Sequence, residues 1–342
     1  MLGALAGVLG SMCFPSFPRW TLTRRWFWER DHATMLQLAR ETPGRMARLL
    51  GVPAAHASHV GDITMRTPML GGIAWPTIMV GETQITDADG RVVWDLDAYD
   101  FLRGAEAPGT ANPSLWRHAQ LNANFGLFKV SEGVYQLRGF DIANMTLIEG
   151  KKGWIVVDPL TARETSSAAL AFANQHLGKK PVSAVIITHA HADHFGGVLG
   201  VVTPKEVADR TVPVVAPEGF MEEATSENIM VGTAMARRSL YQFGRDLPRN
   251  AKGNVDTGLG KDVAYGTIGI IVPTVLVTQP EQKMDIDGVG FVFYNAPGAE
   301  CPAEMTFSIP AKRLYDGAEN LSQQMHNLLP VRGAKVRDAL RW

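Results

Sequence analysis

The stretch Thr188-His189-Ala190-His191-Ala192-Asp193-His194 gathers three imidazoles and a carboxylate between positions 189 and 194. The apolar run Val182–Ile187 before it reads as a buried strand, and a strand end is a rigid platform for the loop that follows. His189 and His191 are two apart, so on extended backbone their side chains share a face. Asp193 and His194 fall on the turn beyond and reach a second position. Gly196-Gly197 then lets the backbone bend sharply before a helix. Neutral imidazole nitrogens suit zinc, and a carboxylate adds an oxygen ligand. Two divalent ions ~3.5–4 Å apart can share one water or hydroxide, and zinc lowers the pKa of that water to about 7. A nucleophile at neutral pH then needs neither serine nor cysteine. A His-rich solvated loop is the competing reading, and it leaves the strand before and the glycine pair after without a purpose.

Asp158 closes the apolar run Trp154-Ile155-Val156-Val157 and precedes Pro159. By itself it reads as a turn or N-cap carboxylate; the resemblance described below implies that it also braces the metal-binding loop, holding a histidine in one tautomer. Two acidic segments follow far downstream. They are Pro297-Gly298-Ala299-Glu300-Cys301-Pro302-Ala303-Glu304-Met305 and Asp316-Gly317-Ala318-Glu319-Asn320. Either glutamate alone would be a solvated surface carboxylate.

The bulk properties leave room for one large α/β domain or two ordinary ones in 342 residues. The chain is 46% hydrophobic and 20% charged, enough for a sizeable core. Its 33 basic and 34 acidic residues give a net charge of −1, so no basic excess points to nucleic acid or an anionic membrane. Two distant cysteines, Cys13 and Cys301, make no disulfide framework. Residues 1–20 read as a leader. Met1–Met12 is small and apolar, lacks a basic region ahead of it, and is too short for a span of ~20 residues. A loosely attached segment, a weak export signal and a membrane-surface anchor remain open. The compartment is unset; a periplasmic or secreted location would suit the chemistry inferred below.

Residues 21–115 are expected to form an N-terminal extension packing on a catalytic domain at 116–342. In the extension, 31–51 predicts a helix, 53–82 is rich in Pro and Gly, and Asp87-Ala88-Asp89-Gly90 predicts a hairpin turn. Residues 104–114 read as a linker. Strands are expected at 126–130, 133–138, 144–149 and 153–157. Thr161 to Glu164 reads as a capping box opening a helix to Leu177, stopped by Gly178. A helical section over 218–243 and β-rich stretches at 268–278 and 289–294 follow. Strands, then βαβ alternation, then strands again suit a four-layered αββα sandwich.

The histidine run resembles the signature of the metallo-β-lactamase superfamily, an α/β (α+β) fold. Where most members carry Pro-Gly-His, this chain has glutamate, and the 297–305 and 318–320 segments resemble those of the alkyl sulfatases. Asn144-Met145-Thr146, Glu227-Asn228, Arg237-Arg238, Gly258-Leu259-Gly260-Lys261, His326-Asn327-Leu328 and Arg332-Gly333-Ala334-Lys335-Val336-Arg337-Asp338 follow the same family, densest from 120 to 342. The resemblance implies zinc-dependent hydrolysis of alkyl sulfates such as dodecyl sulfate, by a metal-bound hydroxide. It implies that His189, His191 and Glu300 hold one zinc ion, that Asp193 and His194 hold a second, and that Glu319 bridges both. Asp193 and Glu319 are thereby the expected catalytic carboxylates. Donors to the sulfate are expected from Asn228, Tyr241, His326 and Arg332. Each has a plainer alternative: a helix cap for Asn228, a core aromatic for Tyr241, a helix end for His326, a carboxylate pair for Arg332. Met221, Met230 and Met235 are core methionines or the lining of an apolar channel.

The family uses one further histidine beyond the position of Trp342, and no histidine follows His326. The second ion is therefore expected to lack its last imidazole. The family's dimerisation region and C-terminal lipid-carrier-like domain are likewise not matched, although its members form homodimers. Two other readings stay open: another hydrolase of the superfamily, a lactonase or thioesterase, and a non-catalytic metal-binding remnant.

Overall fold

Short apolar runs build the largest of the four sheets among the described residues. In the computed structural model these are β5 (Gly126–Ser131), β6 (Val134–Arg138), β7 (Met145–Glu149), β8 (Trp154–Val157), β9 (Val182–Ile186), β10 (Val214–Pro217) and β11 (Val275–Val277). They lie in the order β11-β10-β9-β8-β7-β6-β5. The β5–β8 half is antiparallel because turns of a few residues join its strands; β8, β9, β10 and β11 are parallel. The structure describes residues 69–70, 73–74, 84–103, 106–322 and 326–342, all within the unit Ile63–Trp342. The leader at 1–20, the helix expected over 31–51 and most of the 53–82 stretch lie outside the described residues; within the latter are only β1 (Met69–Leu70) and β2 (Ile73–Ala74).

The second sheet is an antiparallel meander of β12 (Glu281–Ile286), β13 (Val289–Asn295), β14 (Met305–Ile309) and β15 (Leu314–Asp316). Ile148, Ile155, Val157, Ala184, Ile186 and Val215 of the first sheet meet Phe291, Phe293, Met305 and Phe307 of the second in one buried cluster. Alternate residues of the same central strands, Leu147, Val156 and Val185, point the other way into a cluster with Ala169 and Ala173 of α2 (Arg163–Leu177). Strands buried on both faces explain why these runs are almost wholly apolar.

The expected hairpin forms between β3 (Gln84–Thr86) and β4 (Val92–Asp95), and Val93, Trp94 and Leu96 pack with Phe125, Ala162 and Ala264. Within the expected linker, α1 (Pro113–Asn122) already begins, capped by Asn112. The helical section over 218–243 is α5 (Phe220–Thr225), a π-helical turn at Ser226–Met230 and α6 (Gly232–Gln242), preceded in the chain by the short α3 (Ala192–Phe195) and α4 (Pro204–Ala208).

Two local expectations are corrected, and one strand is added that the sequence did not signal. The helix stops at Gly178 (φ 91°) as expected, but no capping box opens it: Ala162 is the N-cap, with no side-chain cap. Glu164 instead accepts from Thr267 N and Oγ1 at 2.8 and 2.7 Å, so a distant strap outcompetes the local cap. That strap occupies most of the β-rich stretch expected at 268–278. Only Val275–Val277 is strand, because Pro273 lacks a donor and Gly269 N is spent on Gly196 O at 2.7 Å. Finally, β12 had no signal, since Glu281-Gln282-Lys283-Met284-Asp285-Ile286 is mostly polar, as an exposed edge strand permits.

Candidate metal centre

Parallel strands end together, and the crevice beyond their carboxyl ends is where an α/β sheet presents its functional loops. Here β8 ends at Asp158 and β9 runs into Thr188–His194. Asp158 adopts φ 52°, which turns its carboxylate back across the strand ends. It accepts from Thr188 N at 2.8 Å and Thr188 Oγ1 at 2.7 Å, and sits 2.8 Å from His194 Nδ1. Thr188 Oγ1 lies 3.0 Å from His189 Nδ1. Each of these two rings is held through Nδ1, and each Nε2 is left buried without a hydrogen-bond partner.

The second sheet supplies the carboxylates. Glu300 stands in the loop between β13 and β14, and Glu319 in a short helical turn after β15. Glu300 Oε2 lies 2.9 Å from His191 Nδ1 and 3.4 Å from His189 Nε2. Glu319 Oε2 lies 3.6 Å from His189 Nε2, and its Oε1 lies 3.9 Å from His194 Nε2. Asp193 Oδ2 is 3.3 Å from His194 Nε2. Two sets of donor atoms result, His189, His191, Glu300 and Glu319 in one and Asp193, His194 and Glu319 in the other, each with its atoms within 4.8 Å of one another. Glu319 belongs to both.

Three carboxylates this close, Glu300 buried and Asp193 and Glu319 half-buried, repel unless positive charge stands between them. Burial opposes the charged form of His191 and His194, yet Glu300 raises the one, and Asp193 and Asp158 the other, well above the ordinary histidine range. Burial likewise opposes the ionised form of Glu319, but His189 and His326 hold it well below the usual carboxylate range. His189 goes the other way, lowered by burial and by His194. Two orphaned imidazole nitrogens facing ionised carboxylates, in a mixed nitrogen and oxygen set, fit a divalent ion such as zinc.

Of the expected substrate contacts, His326 is brought to the cluster, its Nε2 3.7 Å from both Glu300 Oε1 and Glu319 Oε2. Arg332 pairs with the buried Glu227, Nη1 to Oε2 at 3.3 Å. Glu227 Oε2 is in turn 3.7 Å from His191 Nε2. Asn228 donates Nδ2–H to Ala224 O at 2.8 Å, one turn back along its own helical segment. Tyr241, on α6, has its ring in solvent at 85% exposure and is not gathered around the cluster. Met235 is buried and Met230 is 82% exposed.

Sequence reasoning passed over three charged residues that the fold buries here: Glu227, Glu304 and Arg337. Arg337 pairs with Glu300 through Nη2, donates Nε–H to Glu300 O at 2.8 Å, and places Nη1 3.1 Å from His326 Nδ1. Glu304 Oε2 accepts from Glu300 N and Cys301 N, each at 2.8 Å. Burial and the neighbouring Glu300 charge push the Glu304 carboxyl up to about 8. All three sat inside the quoted motifs, but nothing in a linear pattern distinguishes a buried charge from a solvated one.

Known proteins resemble this chain in sequence and in fold. The profile of the metallo-beta-lactamase superfamily matches residues 138–285. An alkyl/aryl-sulfatase of Saccharomyces cerevisiae is 47% identical over 263 residues, 77% of this chain and 41% of the yeast protein. An (R)-specific secondary-alkylsulfatase of a Pseudomonas species is 48% identical over 260 residues, 76% of this chain and 39% of its own. The solved structure of a stereoselective inverting sec-alkylsulfatase from Pseudomonas superposes with a TM-score of 0.77 at 44% identity, covering 84% of this chain and 46% of that one. The chain thus spans about two fifths of the length of the curated relatives it matches. On fold and these identities, the chain carries the metallo-β-lactamase fold and is a homologue of the alkyl sulfatases.

Proposed function

We propose that the protein hydrolyses alkyl sulfate esters, dodecyl sulfate among them, to the alcohol and inorganic sulfate. The reading rests on the identity of 46–48% to three alkyl sulfatases over 254–263 residues. The ligand geometry supports it. His189, His191 and Glu300 would hold one zinc ion, Asp193 and His194 a second, with Glu319 between them. Bound zinc would supply Lewis acidity and make a nucleophilic water available at neutral pH.

The chain's own groups supply the rest. Asp193 and Glu319 are placed to accept hydrogen bonds from the attacking water and orient it. His326 Nε2 faces the same space and is the nearest of the proposed sulfate donors to Glu319. Arg332, steadied by Glu227, would offer its remaining N–H groups to sulfate oxygens, with Asn228 and Tyr241 as further candidate donors. Overall the ester anion and one water give the alcohol, sulfate dianion and one proton: attack at carbon breaks the C–O bond and the water's hydroxyl becomes the alcohol, whereas attack at sulfur breaks the S–O bond and the departing alkoxide takes a proton from the water.

Zinc stoichiometry of the purified chain, with release of sulfate from dodecyl sulfate measured on the same sample, tests the reading. Two zinc ions with sulfate release are expected. Zinc-saturated protein that releases no sulfate from dodecyl sulfate, or from a secondary alkyl sulfate, overturns it.

A further inference from the structure

The loop that carries Glu300 contains Pro297, Gly298 at φ 81° and Pro302, and it leaves both sheets between Ala296 and Glu304. Such a loop has no ladder to hold its amides. Glu304 is fully buried and holds two of them itself, through the 2.8 Å bonds from Glu300 N and Cys301 N to Oε2. Its backbone does a different job. Glu304 O accepts from Ala296 N at 2.8 Å, closing the base of the loop. Glu304 also pairs with His189 in an isolated antiparallel bridge, and Met305 N donates to Thr188 O at 2.9 Å. One residue is therefore fastened by its main chain to the histidine strand end and by its side chain to the main chain of Glu300.

We infer that Glu304 is a positioning residue for the metal centre: its carboxylate fixes the backbone of Glu300 and thereby sets the Glu300 side chain against His189 and His191. This rests on the reading above that Glu300 is a ligand. Glu304 lies in neither set of donor atoms. Its effect runs through hydrogen-bond acceptance at one oxygen, which a glutamine carbonyl oxygen reproduces and a methionine of similar size does not.

Chelator competition for zinc on the wild type, Glu304→Met, Glu304→Gln, Glu300→Ala and the Glu300→Ala/Glu304→Met double variant tests the inference. Near-ultraviolet circular dichroism confirms folding of each. Glu304→Met is expected to weaken zinc binding about 10–100-fold, the range for outer partners of metal ligands. Glu304→Gln should remain within about threefold of wild type. In the Glu300→Ala background Glu304→Met should add nothing, since the ligand it places is gone. Unchanged affinity in Glu304→Met, equal losses in the Gln and Met variants, or a full additional loss in the double variant would each overturn the assignment. A wild type that binds no zinc overturns the metal reading itself, and is thereby distinguishable from failure of the Glu304 role alone.

Discussion

Asp158 Oδ2 lies 2.8 Å from His194 Nδ1, so the opposite nitrogen of that ring faces Asp193 and Glu319. The same carboxylate ties down Thr188, whose hydroxyl reaches His189. A single side chain at the end of β8 thus orients both halves of the donor cluster. Asp158→Ala should lower zinc affinity about 10–100-fold. It also strands the buried Thr188 N–H, at a cost of about 1–3 kcal/mol. Chelator competition and denaturant unfolding measure the two effects. Unchanged zinc affinity would remove Asp158 from any role in the centre.

Gly197 is required by space rather than by backbone freedom. A Cβ there would overlap the carbonyl oxygens of Pro159 and Ala162. Gly197 N also donates to Leu160 O at 2.8 Å, which holds the metal loop against the turn after β8. Gly197→Ala should therefore cost about 1–3 kcal/mol, the usual penalty for overpacking. Because the displaced backbone lies next to His194, its zinc affinity should fall with it. A thermal midpoint equal to wild type would refute the close approach.

Away from the centre, Lys261 is buried, with Nζ donating to Leu96 O at 3.1 Å and lying 4.5 Å from the Phe125 ring centre. Burial, reinforced by Arg103, lowers its ammonium from 10.5 to about 8. Below pH 8 the folded protein carries this cost in full. Between about 8 and 10.5 the unfolded chain still binds a proton that the folded one has released, so the Lys261 contribution makes the fold more stable as pH rises. The gain is at most about 3 kcal/mol, at about 1.4 kcal/mol per unit. Unfolding free energies of wild type and Lys261→Met across pH 7–10.5 isolate it. Parallel pH profiles would contradict the shift.

Arg332 and Tyr241 separate the proposed sulfate contacts. Arg332 is largely buried and clamped by Glu227, whereas the Tyr241 ring is 85% exposed. Arg332→Ala should raise KM for dodecyl sulfate about tenfold or more, the weight of a charge-assisted hydrogen bond. Tyr241→Phe should move KM less than twofold. The reverse ranking would place the substrate along α6 instead.

Sequence alone determined the elements whose cause is local. The apolar runs of β7 to β9 announced strands because central strands must be apolar on both faces. His189, His191, Asp193 and His194 announced a metal loop because ligands two residues apart on extended backbone meet without help from the rest of the chain. Glu300 and Glu319 were reached through family resemblance, since neither pattern nor spacing marks them. Only the tertiary structure decided that they converge: 106 or more residues separate them from the histidines, and it takes the stacking of the β12–β15 sheet on the first to close that gap. The same stacking decided which charges are buried. Glu227, Glu304 and Arg337 look like any surface charge in the sequence and become structural once they are withdrawn from water and must find partners. Glu164 shows the converse, a residue with a good local cap available that the fold commits to Thr267 instead. Local propensity is worth about 1 kcal/mol at such a position, and a pair of well-aligned bonds to a distant strap outweighs it.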